Sequence, residues 1–161
     1  MRNPIFILPL LLFTTLSCPP QAYCERITAK VIGIVDGDTV SVLIQNHPSK
    51  IRLWGIDAPE RGQPFSAKAK QALSELCYEQ FVTLDIQGKD KYGRLIAIIY
   101  DDRDLNINVA LVRRGLAWWY KHFAPDVSEL KQAESIARDR KLGIWSTQAP
   151  PTPPWDWRRS K

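Results

Sequence analysis

Residues 25–44 read ERITAKVIGIVDGDTVSVLI. Two β-branched, largely alternating runs, 25–35 and 39–44, flank Asp36-Gly37-Asp38. Period-two alternation on either side of a turn signal marks a strand pair. A second turn is expected at His47-Pro48-Ser49, and 51–56 reads as a third strand. Three short strands with tight connections form a meander rather than a βαβ unit.

Downstream, Pro59 breaks the pattern and Pro64 suits the first turn of a helix. Phe65, Ala69, Ala72, Leu73 and Leu76 follow at helical spacing, with Lys68, Lys70 and Glu75 outward. Residues 81–86 and 95–100 are expected as strands four and five, the latter running into a polar turn at 101–104. Residues 107–114 read as a short helix stopped by Gly115. Asp126 and Glu129 have the spacing of a capping box before another helix, with Leu130, Ala133, Ile136 and Ala137 inward and Gly143 beyond its end. Five strands with a helix between the third and fourth is the order of the oligonucleotide-binding (OB-fold) barrel. The expected fold is therefore α+β, a five-stranded β-barrel with about three α-helices.

The ends of the chain read differently. Arg2 precedes an almost unbroken apolar run at 5–16, too short for a bilayer span of roughly 18 residues and of the dimensions of a secretory signal. Residues 1–23 are expected as a signal peptide cleaved between 17 and 24, 24–146 as the folded domain, and 147–161 as a Pro/Trp-rich tail. The mature protein would be exported, periplasmic or secreted, with no transmembrane segment, and monomeric. Leu16-Ser17-Cys18 approaches a lipoprotein box, but Thr15 stands where an aliphatic residue belongs, so lipid attachment at Cys18 is not expected. In an oxidising compartment a Cys24–Cys77 disulfide is favoured among three pairings, with two separate buried thiols as the alternative. Losing residues 1–23 removes one arginine and no acid, lowering the net charge from +5 to +4. A basic balance of that size is compatible with a polyanion but does not identify one.

Three segments carry chemistry: DGDT at 36–39, RLWGIDAPE at 52–60 and DKYGR at 90–94. They supply Asp38, Asp57 and Glu60 together with Arg52 and Arg94. Such a set can hold a hard cation, orient a water and neutralise a phosphate. With NxxLVxxGLA at 108–117 and LGIW at 142–145, in this order and spacing, the chain resembles the staphylococcal nuclease (thermonuclease) family from about Ile27 to Trp145. The resemblance implies a calcium-dependent nuclease that hydrolyses phosphodiester bonds of DNA, with RNA left open as a second substrate, and leaves 3′-phosphates. It implies Asp38, Asp57 and the backbone carbonyl of Ala58 as Ca2+ ligands, and Glu60 as the acid on the attacking water. Arg52 and Arg94 would grip the scissile phosphate; Lys91, Tyr92 and Tyr120 would lie beside the nucleotide. Ala58 replaces the family's common threonine, which a main-chain ligand tolerates. A lysine-rich loop that some members carry after Pro-Glu is absent.

The residue chemistry agrees with these roles. Ca2+ takes oxygen ligands and tolerates waters, so two carboxylates and a carbonyl leave the site open to substrate. A planar guanidinium meets two phosphate oxygens at once, which an ammonium does not. Each feature also has a plainer reading: a hairpin residue for Asp38, a strand end for Asp57, a surface pair for Glu60 and a turn residue for Arg94. His47 and His122 lack metal-spaced partners. Trp118 and Trp119 read as core, and the acids at 101–104 as a solvated turn. Trp155, Trp157, Arg158 and Arg159 read as a tail docked on the barrel rather than a nucleic-acid contact. The competing functional reading is a non-catalytic OB-fold module binding nucleic acid or protein, which typically lacks the acids and arginines present here. A structural domain using its basic surface on a membrane or cell wall is a more distant third.

Overall fold

The computed structural model describes residues 26–160; the expected signal segment, Cys18 and Cys24 lie outside them. Strands β1 (Arg26–Ile34), β2 (Thr39–Ile44), β3 (His47–Leu53), β5 (Phe81–Lys89) and β6 (Leu95–Tyr100) close a barrel in the order β1-β2-β3-β6-β5. β1, β2 and β3 form the expected antiparallel meander, and β5 pairs antiparallel with both β1 and β6. Closure comes from a parallel β3–β6 pairing, Ile51 opposite Leu95 through Leu53 opposite Ala97. Helix α1 (Ser66–Cys77) links the halves, and α2 (Ile107–Arg113) and α3 (Ser128–Asp139) follow the barrel. Val31, Val40, Val42, Ile51, Leu53, Leu84 and Ile99 from the strands join Leu73 of α1 and Leu111 of α2 in one buried core. Among the described residues no helix is long and apolar enough to cross a membrane.

Several local expectations are corrected. The second turn falls on Gln45 and Asn46, whose φ of 48° and 67° are the left-handed pair that a two-residue hairpin demands. His47, Pro48 and Ser49 are already strand, and Pro48 lies before β3 meets β6 at Ile51, a position with a free edge where proline is tolerated. α1 begins after Phe65 instead of at Pro64, because 60–66 is taken up by tight turns: Gln63 donates to the Glu60 carbonyl and Ser66 to that of Gln63. The Asp126–Glu129 capping box does not form; α3 starts at Ser128 with no side-chain cap. Its buried face includes Glu134 where Ile136 was expected, because Glu134 accepts the Trp119 backbone N–H.

The strand expected over 51–56 breaks at Trp54-Gly55, where Gly55 adopts φ 74°. Beyond the break, β4 (Ile56–Asp57) leaves the barrel and pairs with β7 (Trp118–Trp119). Asn108, buried on α2, fixes this departure. Its side-chain amide donates to the Trp54 carbonyl at 2.9 Å, while its oxygen accepts the Ile99 N–H at 3.1 Å. The tail adds a fourth helix to the three expected: after a 3-10 turn (Gly143–Ser146) and a proline-rich stretch, α4 (Pro154–Arg159) packs back onto the domain.

Candidate active site

The site lies where the β1–β2 turn, the end of β3 and β4 converge. Gly37 makes the approach feasible: a Cβ there would stand 2.7 Å from the Ala69 Cβ and 2.8 Å from the Ala58 Cβ. Glycine alone lets the turn press against both α1 and the segment after β4. Asp38, next in sequence, is thereby buried with its carboxylate against β4. Its Oδ2 accepts the Ala58 N–H at 2.7 Å and its Oδ1 accepts the Thr39 hydroxyl at 3.1 Å. Asp57, on β4, is almost completely buried.

One guanidinium holds the two acids together. Arg52 Nη1 lies 2.8 Å from Asp38 Oδ2, and Nη2 lies 2.7 Å from Asp57 Oδ1. This placement follows from strand alternation, since Ile51 and Leu53 on either side of Arg52 point into the core. Burial, opposed by Arg52 and reinforced by the charges of Asp36 and Asp57, pushes the Asp38 carboxyl up to about 7. Desolvation of the Asp38 carboxyl therefore outweighs the support that Arg52 gives to its ionised form.

Glu60 stands at the rim, its side chain 37% exposed, with its backbone N–H donating to Gln63 Oε1 at 2.9 Å. The structure thus brings Asp38, Arg52, Asp57, Ala58 and Glu60 together. Arg94 belongs to a second cluster on the β5–β6 hairpin. Its Nε donates to Asp90 Oδ2 at 2.7 Å, and Asp90 Oδ1 accepts the backbone N–H groups of Tyr92 and Arg94. Burial alone would raise the Asp90 carboxyl, but the hydrogen bonds from Arg94 and Tyr92 prevail and hold it below the usual range. Lys91 and Arg94 both lie over the exposed Tyr92 ring, at 5.1 and 5.8 Å. Among the described residues both Nη groups of Arg94 are left for another partner. Trp118 and Trp119 are buried in β7, as core. Cys77 is a buried thiol donating to the Leu73 carbonyl at 3.2 Å, its ionisation pushed up to about 12 by burial; the partner expected for it, Cys24, is outside the described residues.

Two contributors were not singled out from sequence. Gln63 connects the site to the tail, because its Nε2 donates to the Thr152 carbonyl at 2.7 Å while its Oε1 holds Glu60. Arg158, read only as part of a docked tail, reaches the acids themselves. Its Nη2 lies 2.9 Å from Asp57 Oδ2, and its Nη1 contacts both Asp57 Oδ1 and Glu60 Oε1. Nothing in the local pattern of Trp157-Arg158-Arg159 distinguishes the first arginine from the second. Tyr120 meets the same tail: its ring stacks on Trp155, centroids 5.1 Å apart and planes 18° from parallel.

As donors for a metal, Asp38, Asp57 and the Ala58 carbonyl form an all-oxygen set suited to a hard cation. No group of three or more His, Cys, Asp or Glu side chains with metal-binding placement occurs among the described residues. Two carboxylates and a main-chain oxygen nevertheless suit, as donors, a calcium site left open to substrate.

A closed OB-type barrel with two buried acids, a bridging arginine and a rim glutamate defines the class. A family profile described as "Staphylococcal nuclease homologue" matches residues 50–147, and the chain belongs to that family. It is 40% identical over 153 residues to an "Uncharacterized endonuclease" of Haemophilus influenzae, covering 94% of this chain and 83% of the relative. A "Micrococcal nuclease" of Shigella flexneri is 36% identical over 140 residues, 81% of this chain and 80% of the relative. A "Staphylococcal-like nuclease CAN1" of Arabidopsis thaliana is 31% identical over 112 residues, 70% of this chain and 34% of the relative.

Proposed function

We propose that this protein is a calcium-dependent nuclease that hydrolyses phosphodiester bonds of DNA, leaving 3′-phosphates, with RNA as the second candidate substrate. The observation that carries the reading is the Arg52 guanidinium bridging two buried carboxylates, Asp38 and Asp57, beside the rim acid Glu60. Family membership and the names of the relatives support the same reading. The apolar run at 5–16 supports export.

Asp38, Asp57 and the Ala58 carbonyl would hold Ca2+, which when bound supplies Lewis-acid and templating chemistry to a phosphodiester. Glu60, at the rim, meets solvent; its carboxylate orients a water for in-line attack and accepts its proton as general base. Asp90 anchors Arg94 through Nε, so the two Nη groups can take two phosphate oxygens as charge builds on them. Arg52 supplies the second guanidinium, its donors shared between acids and substrate. Lys91, Tyr92 and Tyr120 line the path of the neighbouring nucleotide.

Purified protein incubated with single-stranded DNA, double-stranded DNA and RNA, in Ca2+ and in chelator, tests the proposal. Cleavage that requires Ca2+ and leaves 3′-phosphate ends is expected. Intact substrates in Ca2+ would remove the reading in favour of a non-catalytic binding module.

A further inference from the structure

The tail arginine occupies the groups that the proposed chemistry needs. Asp57 Oδ2 is engaged by Arg158 at 2.9 Å, and Asp57 Oδ1 is shared between Arg52 and Arg158 at 2.7 and 3.3 Å. The same Arg158 Nη1 contacts Glu60 Oε1. Three independent contacts seat the arginine there. Trp155 stacks on Tyr120, the Thr152 carbonyl is tied to Gln63, and Pro154 at the start of α4 is buried. Gln63 itself holds the Glu60 backbone, so the tail and the rim acid share one support. The segment also stands outside the family-matched region, which ends at 147.

We infer that residues 147–161 form an autoinhibitory latch, in which Arg158 serves as a built-in counter-cation for Asp57 and Glu60 and a divalent cation releases it. With Arg158 on Oδ2 and both Arg52 and Arg158 on Oδ1, a metal ion must compete with the guanidinium for the oxygens of Asp57 and against its positive charge. Glu60 Oε1 likewise accepts from Arg158, so the guanidinium competes with a water for this carboxylate. The docked tail therefore closes the site to cation and substrate together, and binding of Ca2+ by the acids lifts α4 away. Arg158 is 45% accessible at its side chain although Asp57 is buried, so water reaches the guanidinium end of the contact. The latch rests on the nuclease reading for the identity of the cation and for what is inhibited.

Calorimetric titration of the full chain with Ca2+ tests the competition in the parent and in Arg158→Ala, Arg158→Lys and Trp155→Ala. If the closed form holds about nine-tenths of the resting protein, opening it tightens the apparent calcium affinity about tenfold. Trp155→Ala is decisive because it loosens the tail while keeping the arginine's charge; it should tighten binding too, and Arg158→Lys should fall between the parent and Arg158→Ala. In the unaltered parent, chymotryptic cleavage at Trp155 and Trp157 should be slow in chelator and severalfold faster in Ca2+. Equal calcium affinity in all four proteins, or cleavage indifferent to Ca2+, overturns the latch. So does unchanged calcium affinity with lost turnover in Arg158→Ala, which would make Arg158 a phosphate-gripping residue. A parent that releases its tail in Ca2+ yet cuts no nucleic acid supports the latch and removes the nuclease reading instead.

Discussion

Arg52 and Arg94 are the same residue type in different electrostatic settings, and the difference assigns their work. Arg52 is already engaged by two carboxylates and two backbone carbonyls, so it has only a share of its donors to offer a phosphate. Arg94 is anchored to Asp90 through Nε and, among the described residues, keeps both Nη groups for another partner. Replacing Arg94 by lysine retains charge but loses the two-pronged contact and the Nε anchor. Turnover should fall about a hundredfold or more, with little change in the melting temperature. Steady-state rates of Arg94→Lys on a short oligonucleotide check this, and near-parent turnover would count against Arg94 as a phosphate ligand. Asp90→Asn separates anchor from grip: the guanidinium remains but its orientation loosens, so its loss of turnover should be smaller than that of Arg94→Lys. Glu60→Gln removes the proton acceptor and should cost about 10²–10⁴ in rate, measurable in the same assay, while Ca2+ binding is retained.

At the level of elements, the first, second and fourth expected strands were legible because they alternate with period two, as burial on one face imposes, and the fifth as a short apolar run before a polar turn. Thr39–Ile44 and Leu95–Tyr100 were delimited to the residue, and Arg26–Ile34 nearly so. Positions decided by tertiary contact were not legible. Asn46 takes the hairpin turn because a two-residue loop needs two left-handed residues, and the Pro48 signal drew the turn two places too far. Val127, not Asp126, precedes α3, since the backbone turns into the helix one residue later than the acid spacing suggests. Of the site, Asp38, Arg52, Asp57 and Glu60 were visible as chemistry clustered near turns. Gln63 and Arg158 were not, because they act across 89 and 98 residues of sequence. Gly37 shows how an element can be fixed by what it must not carry. A methyl there would sit 2.7 and 2.8 Å from two alanine Cβ atoms, both rigidly attached to backbone, so the turn must move. Gly37→Ala should destabilise the fold by about 1–3 kcal/mol and displace Asp38, lowering calcium affinity as well. Urea unfolding with calorimetry checks both; a variant with the parent's midpoint and calcium affinity would show that the turn is not held this way.

For the whole molecule, buried charge couples the site to global stability. Asp38 is raised from its ordinary 3.8 to about 7 in the folded protein. Between those values the folded chain retains a proton that the unfolded chain has released. Without a metal, that contribution to stability is complete below about pH 4 and is lost as the pH rises through about 7. Asp90 has the opposite sign. Its depressed carboxyl stabilises the fold above the usual carboxylate range and loses that contribution as acid protonates it, so the two windows do not overlap. If Asp38 is a calcium ligand as proposed, it must bind in its ionised form, and binding would reverse the penalty at neutral pH. At a hundredfold excess over its dissociation constant, a ligand of the folded state adds about 2.7 kcal/mol, which for a chain of this size raises the melting temperature by several degrees. Melting curves at pH 5, 6, 7 and 8, in chelator and in Ca2+, should therefore diverge as the pH increases, with the calcium-induced gain largest at pH 8. Asp38→Asn, which cannot ionise, should be insensitive to pH between 4 and 7 at this position and should lose most of the calcium gain. If calcium leaves the parent's melting temperature unchanged at pH 8, the two buried acids are not its ligands, and their charge is answered by Arg52 and Arg158 alone.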